Sequence, residues 1–427
     1  MKDVKIKIHK LGMIGESEEI TLNQLMVFSG ESGLGKSYLS IICHYIFFVL
    51  LDRHRISSFF EIKGLDFSSM RPSYKGQGIA VSFSKKEFEE WLSKDAIQWL
   101  GYMVGKKDLE ADIEIKLPEQ IKENIVISYE EDMEGLGSEV ETYIKLSLPF
   151  LTYRIKDSGI LSEESPFAFL FRFYLIQEIF DDFKNLTDTF IFPPSRGMML
   201  TEDVTPITGM YVEFKKNVLK LAASKSKNLQ PPEHLTALLK RILDGSVKRQ
   251  ESRYIYATNE EEIPLSAAAA SVRELASIEF LIENSDISKS AIMIDEPEAH
   301  LHPLKQRMMA DIICSLMLSG AHIQVTTHSD YFLRRVNELS MLHEVYNRNI
   351  DNIDTFIGIC DRIGMDPELH IDKSNISAYL LVRNVDHSIV VRQDMTNGVP
   401  FAAFHDALKD TLTIKSELEK ELNDGDY

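Results

Sequence analysis

Eight consecutive residues, Gly30, Glu31, Ser32, Gly33, Leu34, Gly35, Lys36 and Ser37, have the types and spacing to hold a polyphosphate, because they fit G-x-x-x-x-G-K-[S/T]. Glycines at 30, 33 and 35 let successive backbone N–H groups turn inward as an anion nest, and a helix starting behind them aims its positive end at the same point. Lys36 would add a point charge for the β- and γ-phosphates, and the Ser37 hydroxyl is placed to ligate Mg²⁺. The pattern is informative only where a strand runs in and a helix runs out. Leu25-Met26-Val27-Phe28 is a short apolar run, and Tyr38 to Leu51 has no Gly or Pro and is rich in Leu, Ile and Phe, so both elements are expected. The competing explanation is a glycine-rich turn that matches by chance.

A second constellation lies far downstream. Ala291-Ile292-Met293-Ile294 is closed by Asp295-Glu296. On a parallel strand buried on both faces the apolar residues pack, and the acids are left at the carboxyl end where ligands bind. Asp295 would hold Mg²⁺, directly or through water, and Glu296 would orient and deprotonate the water that attacks the γ-phosphate. An apolar strand ending in Asp-Glu is common; its pairing with Gly30–Ser37 gives it weight. Beyond it, a helix is expected to begin near Pro303, and Ala321 to Thr326 reads as another core strand, ending at Thr327-His328-Ser329. His328, just past a strand end, could bond the γ-phosphate and report its loss; the alternative is a helix-capping or internally satisfied histidine.

Gly30–Ser37, Asp295-Glu296-Pro297-Glu298-Ala299-His300-Leu301-His302-Pro303 and Thr326-Thr327-His328-Ser329 together resemble the ATP-binding-cassette-type ATPases of the SMC-like and OLD-like class. The similarity is greatest to the bacterial AAA-family ATPases that often serve in anti-phage defence. It spans roughly residues 1 to 395, with its specific motifs at the start and in 264 to 330. The resemblance implies an α/β P-loop NTPase fold of the ABC-ATPase head type, bilobed, with a mainly parallel core sheet, an antiparallel β subdomain and a helical insertion. It implies that two heads sandwich two ATP molecules, each nucleotide meeting one subunit's phosphate loop and the other's signature helix. The expected partner is therefore a second copy, as a dimer or a higher even-numbered assembly.

Carried over residue by residue, Lys36 and Ser37 bind phosphate and magnesium, Asp295 supports the metal, Glu296 is the general base, His328 is the switch histidine, and His302 falls in the loop that crosses the dimer interface. The signature falls in Pro264 to Leu275, where Ala269-Ala270-Ser271 replaces a Ser-Ser-Gly-like element. Ser271 is expected to N-cap the following helix and to meet the partner's nucleotide, and the missing hydroxyl implies slow turnover or a long-lived dimer. Relatives with a fused Toprim nuclease carry it after the head. Too few residues follow His328 for that, so a nuclease or toxin activity is expected in a separate effector.

The rest of the sequence bounds these readings. A chain of 427 residues with 44% apolar content can bury a large core as one domain with insertions or several smaller ones. Composition suggests blocks at 1–55 (β lobe and phosphate loop), 56–198 (mixed α/β), 199–245 (basic helical insertion), 246–345 (signature, acid pair and His328) and 346–427 (C-terminal α/β extension). Ile41 to Leu51, the longest apolar run, is too short for a membrane span and reads as a buried helix. Met1 to Ile8 alternates like a half-buried strand and lacks a signal-peptide stretch, so a cytoplasmic protein without membrane contact is expected. Cys43, Cys314 and Cys360 are isolated in apolar segments and read as buried reduced thiols.

Residues 3 to 28 are expected to form two or three strands of a small sheet leading into the loop. Segments 78–83, 124–129 and 189–192 read as strands, 166–185, 208–243 and 401–422 as helices, and 253–265 and 376–393 as hairpins. Arg196, after Phe192-Pro193-Pro194, could reach a phosphate or form a surface ion pair. A formal charge of −19 argues against wrapping nucleic acid over the whole surface. One basic cluster, Lys215, Lys216, Lys220, Lys225, Lys227, Lys240, Arg241, Lys248, Arg249 and Arg253, could still meet DNA or an acidic partner, or be a solvated arm. The absence of a long heptad repeat argues against an SMC coiled coil. Three functions follow: an ATP-hydrolysing switch that controls a separate effector, a DNA repair or maintenance ATPase, and a non-hydrolysing nucleotide-dependent scaffold.

Overall fold

The computed structural model describes residues 1–65, 78–134, 141–148, 151–156, 165–202, 204–223, 232–250, 253–396, 398–399 and 402–424. Lys225 and Lys227 of the basic cluster, residue 231 within the expected 208–243 helix, and residues 135–140 lie outside them. The alternating start forms β1 (Lys5–Leu11), with Ile6 and Ile8 buried and the lysines turned outward. It pairs antiparallel with β2 (Ile20–Thr21), but β3 (Leu25–Gly30) leaves this sheet and enters the central one. α1 (Lys36–Leu51) and α2 (Arg53–Ile62) follow, then β4 (Ile79–Ser84) and α3 (Lys85–Val104), which opens on a capping box between Ser84 and Glu87. The third strand of the small sheet is β5 (Ala111–Lys116), paired with β1 across a hundred residues of chain. β4, β6 (Asn124–Glu134), β7 (Glu141–Leu148) and β8 (Leu151–Lys156) make the expected antiparallel subdomain.

α4 (Pro166–Phe180) stops before the expected residue 185, because Asp181 adopts a left-handed φ of 66° that no helix continues. β9 (Asp188–Phe192) is followed by the short α5 (Met198–Thr201) and by α6 (Gly209–Ala223) and α7 (Glu233–Leu243) of the helical insertion. A three-stranded sheet, β10 (Ser246–Gln250), β11 (Arg253–Ala257) and β12 (Glu262–Pro264), precedes α8 (Ala270–Asn284); β10 escapes the sequence reading because it is mostly polar. β13 (Ser290–Asp295), α9 (Pro303–Leu318), β14 (His322–Thr327), α10 (Asp330–Arg348) and α11 (Ile353–Ile363) complete this half. The hairpin β15 (Ile376–Asn384) and β16 (His387–Arg392) then leads to α12 (Ala402–Asp424).

The central sheet has the order β16-β15-β3-β14-β13-β9, parallel from β15 to β9 with β16 antiparallel at one edge. Every residue of β13 and β14 is buried, as strands covered on both faces must be. Alternate residues feed two cores. Met26, Phe28, Ala291 and Met293 join a cluster with α1 to α4 and the antiparallel strands, while Leu25, Val27, Ile292, Ile294, Ile323 and Val325 join one with α6 to α10. A one-residue slip would exchange these sets, so the register that sets the carboxyl ends is strongly specified. The two lobes are these two cores with the sheet between them. Cys43, Cys314 and Cys360 are buried free thiols, as expected. The sheets also join blocks that composition separates, since β15 lies beside β3 and β5 beside β1.

Candidate active site

The parallel register brings three strand ends to one edge: Ser29 lies opposite Thr327, and Thr326 opposite Asp295. Between Gly30 and α1 the chain makes the expected loop. Gly30 has φ 127° and a Cβ there would lie 2.4 Å from the Leu381 carbonyl oxygen, so only glycine lets β15 run this close. At the helix start Gly35 has φ 96° and a Cβ would fall 2.9 Å from the Ile14 side chain. The Lys36 Nζ donates to the Gly30 and Glu31 carbonyls at 3.0 and 2.8 Å, closing the loop on itself. Burial lowers the Lys36 pKa, opposed by the charges of Glu296, Asp295 and Glu298.

Asp295 is 3% exposed and accepts a hydrogen bond from the Thr326 hydroxyl, and the Ser37 hydroxyl is near enough to favour its charged form. The residue that would hold the metal from the loop thus lies near the residue that would hold it from β13. Burial raises the Asp295 pKa, and the two hydroxyls and Lys36 offset this only in part. A carboxyl raised in the folded state makes ionisation costly at pH above that raised value, and the cost vanishes once the acid is protonated in both states. Asp295→Asn is therefore expected to unfold about 2 °C higher near neutral pH, with the gain shrinking as pH falls toward ~4, while Mg²⁺-dependent turnover drops about 100-fold. Scanning calorimetry across pH, beside a phosphate-release assay, checks both halves.

Glu296 sits just beyond, at φ 50°, its N–H held by the Thr326 carbonyl at 3.2 Å and Oγ1 at 3.1 Å. Its carboxylate is 3.4 Å from His328 Nε2, which in turn is 3.4 Å from the Ser32 hydroxyl. The hydrogen bond with His328 holds the Glu296 carboxyl below its ordinary pKa against the effect of burial, which keeps it ionised near neutrality. Glu298, to which the sequence reading gave no role, is buried, and its Oε1 accepts from the Thr327 hydroxyl and the His328 N–H, both at 2.7 Å. It fixes the main chain from which His328 projects. A third carboxylate in Asp-Glu-Pro-Glu was the available signal.

A cleft of about 590 Å³ opens beside these groups, and the buried Asp295 and Glu298 do not line it. Ser32, Gly33, Lys36, Ser37, Glu296 and His328 line it, and Met13, Tyr38 and Leu109 add apolar surface. Ser271 and His302 do not line it. Ser271 is not the N-cap either: a tight turn at Leu265–Ala267 leaves Ala269 at the cap without a side-chain hydrogen bond, and Ser271 falls inside the first turn of α8. His302 is exposed and caps α9, its Nδ1 accepting from the Leu304 N–H at 3.4 Å. Arg196 makes neither a surface ion pair nor a phosphate contact through the cleft; it is 0% exposed beneath the end of β13.

The basic cluster is largely engaged within the chain. Lys216 pairs with Glu213 at 2.7 Å, Lys220 with Asp188 and Lys248 with Glu262 at 3.8 Å, while Lys215 and Arg249 donate to the Val204 and Ala222 carbonyls. Among the described residues no group of three or more His, Cys, Asp and Glu could hold a metal ion. One carboxylate and one hydroxyl do fit Mg²⁺, which keeps waters and takes further oxygens from substrate phosphates. Among the same residues no helix is long and apolar enough to cross a membrane.

Part of the chain is similar to a known family model. Residues 210–333 match a family model described as an AAA ATPase domain. No curated protein matches the chain. Similar solved structures include an Smc head bound to the C-terminal winged-helix domain of ScpA, at 12% identity and TM-score 0.38, covering 92% of this chain and 98% of that one. Another is the SMC head domain from Thermotoga maritima, at 11% identity and TM-score 0.34, covering 92% and 100%. A third is an Smc head domain with an extended coiled coil bound to the C-terminal domain of ScpA, derived from Pyrococcus furiosus, at 12% identity and TM-score 0.34, covering 98% and 100%. The AAA ATPase match takes in Asp295, Glu296 and His328, and the loop that meets them lies outside it.

Proposed function

We propose that this chain binds ATP with Mg²⁺ between Gly30–Ser37 and Asp295, hydrolyses it slowly, and uses the bound nucleotide to hold two copies together. The observation that carries the reading is one cleft lined by Lys36 and Ser37 from the loop and by Glu296 from the end of β13, segments remote in sequence. When bound, Mg²⁺ would be held by Ser37 and Asp295 and would supply positive charge at the phosphates. Lys36 would exchange its two loop carbonyls for phosphate oxygens. Glu296, kept ionised beside His328, would accept the proton of the attacking water, and His328, anchored through Glu298, would sense the γ-phosphate.

The positions of Ser271 and His302 outside the chain's own cleft support the idea that they serve a second copy's nucleotide. In this reading the ATP-held assembly, in the bacterial cytoplasm, positions a separate nuclease or toxin effector in anti-phage defence, as the family resemblance implies. The ion pairs of Lys216, Lys220 and Lys248 weigh against the alternative of DNA binding through Lys215 to Arg253. Light scattering with and without Mg·ATP is the test: the mass is expected to double with ATP and to fall back as phosphate is released. Unchanged mass with no phosphate released would overturn the reading, whereas salt-sensitive DNA binding without ATP would favour the alternative.

A further inference from the structure

A cavity of about 500 Å³ lies apart from the nucleotide cleft, between α6, α7, β10 and α8. Leu221, Val247 and Phe280 give it buried apolar lining, and the exposed Lys240, Lys248 and Arg249 line it as well. These three charges are only partly cancelled. Lys248 stands 3.8 Å from Glu262, and Arg249 donates to the Ala222 carbonyl rather than to an acid. Glu283 also lines the cavity, within reach of the Lys240 charge. The buried Glu279 accepts from the Val247 N–H at 2.7 Å, and burial raises its carboxyl to about 8, so near neutrality it is mostly uncharged. Such a lining suits apolar side chains flanked by carboxylates.

The chain itself carries a segment of that kind. Every residue from 409 to 422 of α12 is exposed, and Ile414, Leu418 and Leu422, at 58, 60 and 77% exposure, repeat every four residues along one ridge of the helix. Glu417 and Glu421 repeat at the same spacing beside them. An amphipathic helix takes most of its stability from packing its apolar face, and α12 leaves that face open to water. We propose that α12 of a second copy lies across this cavity, with Leu418 and Leu422 entering it and Glu417 and Glu421 meeting Lys240 and Arg249. Reciprocal exchange of the two helices closes a two-fold pair. No nucleotide takes part, so this contact is separate from the ATP-held one; ATP would join two such pairs, which keeps the doubling of mass expected above.

Light scattering without nucleotide reads the mass as protein concentration rises. Reversing the cavity charges, Lys240→Glu with Arg249→Glu, or the helix charges, Glu417→Lys with Glu421→Lys, is expected to weaken association about tenfold, and the chain carrying all four changes to return within about threefold of the parent protein. Lys248→Glu takes the place of Arg249→Glu if loss of the bond to Ala222 prevents folding, as read by circular dichroism. A parent protein that stays single at every concentration overturns the proposal. A helix that folds back onto its own cavity would leave the mass unchanged in every variant and overturns it equally. Association lost with the helix changes but untouched by the cavity changes would put α12 against another surface, its twin in the other copy included, and failure of the fourfold variant to recover would deny the pairing of these charges; both outcomes sink the proposal. Affinity for a fluorescent ATP analogue is expected to stay within about threefold throughout, so failure of this contact leaves the nucleotide reading standing.

Discussion

Replacing Glu296 by Gln is expected to lower phosphate release about 1,000-fold while ATP stays bound and two-copy assemblies accumulate. Glutamine keeps the shape of the side chain and can still meet His328, yet it cannot accept a proton. The two bonds from the residue 296 N–H, to the Thr326 carbonyl and hydroxyl, do not involve its side chain and survive the change. Because the carboxylate stands at the cleft rather than in either core, folding is expected to be unaltered. Rapid-quench phosphate release beside light scattering reads both effects, and a variant that keeps a tenth or more of the rate would remove Glu296 from the role of base. The acid limb of the parent protein's pH profile separates the carboxylates further. His328 holds Glu296 below its ordinary pKa whereas burial raises Asp295, so on acidification Asp295 takes up its proton first. Activity lost in mild acid should therefore be recovered by added Mg²⁺, which competes with that proton.

Replacing Lys36 by Met should weaken ATP binding about 100- to 1,000-fold and abolish nucleotide-dependent association. Methionine retains most of the apolar stem, so what is lost is chiefly the ammonium and its two bonds to the Gly30 and Glu31 carbonyls. Asp295, Glu296 and Glu298 all act on that ammonium, and without it Arg196 is the cation left facing them. Binding of a fluorescent ATP analogue, with circular dichroism to check folding, measures the outcome. A folded variant that binds within threefold of the parent would place the nucleotide elsewhere.

The chemistry was legible because it is written in short stretches. Gly30–Ser37 and Asp295-Glu296 each declare their residue types within a few positions, and β3 and β13 declare themselves by unbroken apolar runs. What stayed hidden depends on partners remote in sequence. The third strand of the small sheet is β5 because Lys5 faces Lys116, a pairing that no local pattern predicts. Arg196 is buried because its acceptors, 78 and 99 positions away, arrive beneath β13. Lys220 and Lys248 look like a nucleic-acid surface until Asp188 and Glu262 are set beside them. Ser271 misleads for a nearer reason: the tight turn at Leu265–Ala267 starts α8 early, and an alanine takes the cap.

The phosphate loop is propped by late strands. β15 runs against Gly30, and the Ser388 hydroxyl donates to the Leu34 carbonyl at 2.7 Å across 354 positions of chain. A ribosome therefore exposes the loop early but delivers its buttress only when β15 and β16 have emerged. On the proposed function a half-made chain would be blind to ATP, and nucleotide, by binding only finished molecules, would shelter those from proteolysis and leave prematurely terminated ones to be cleared.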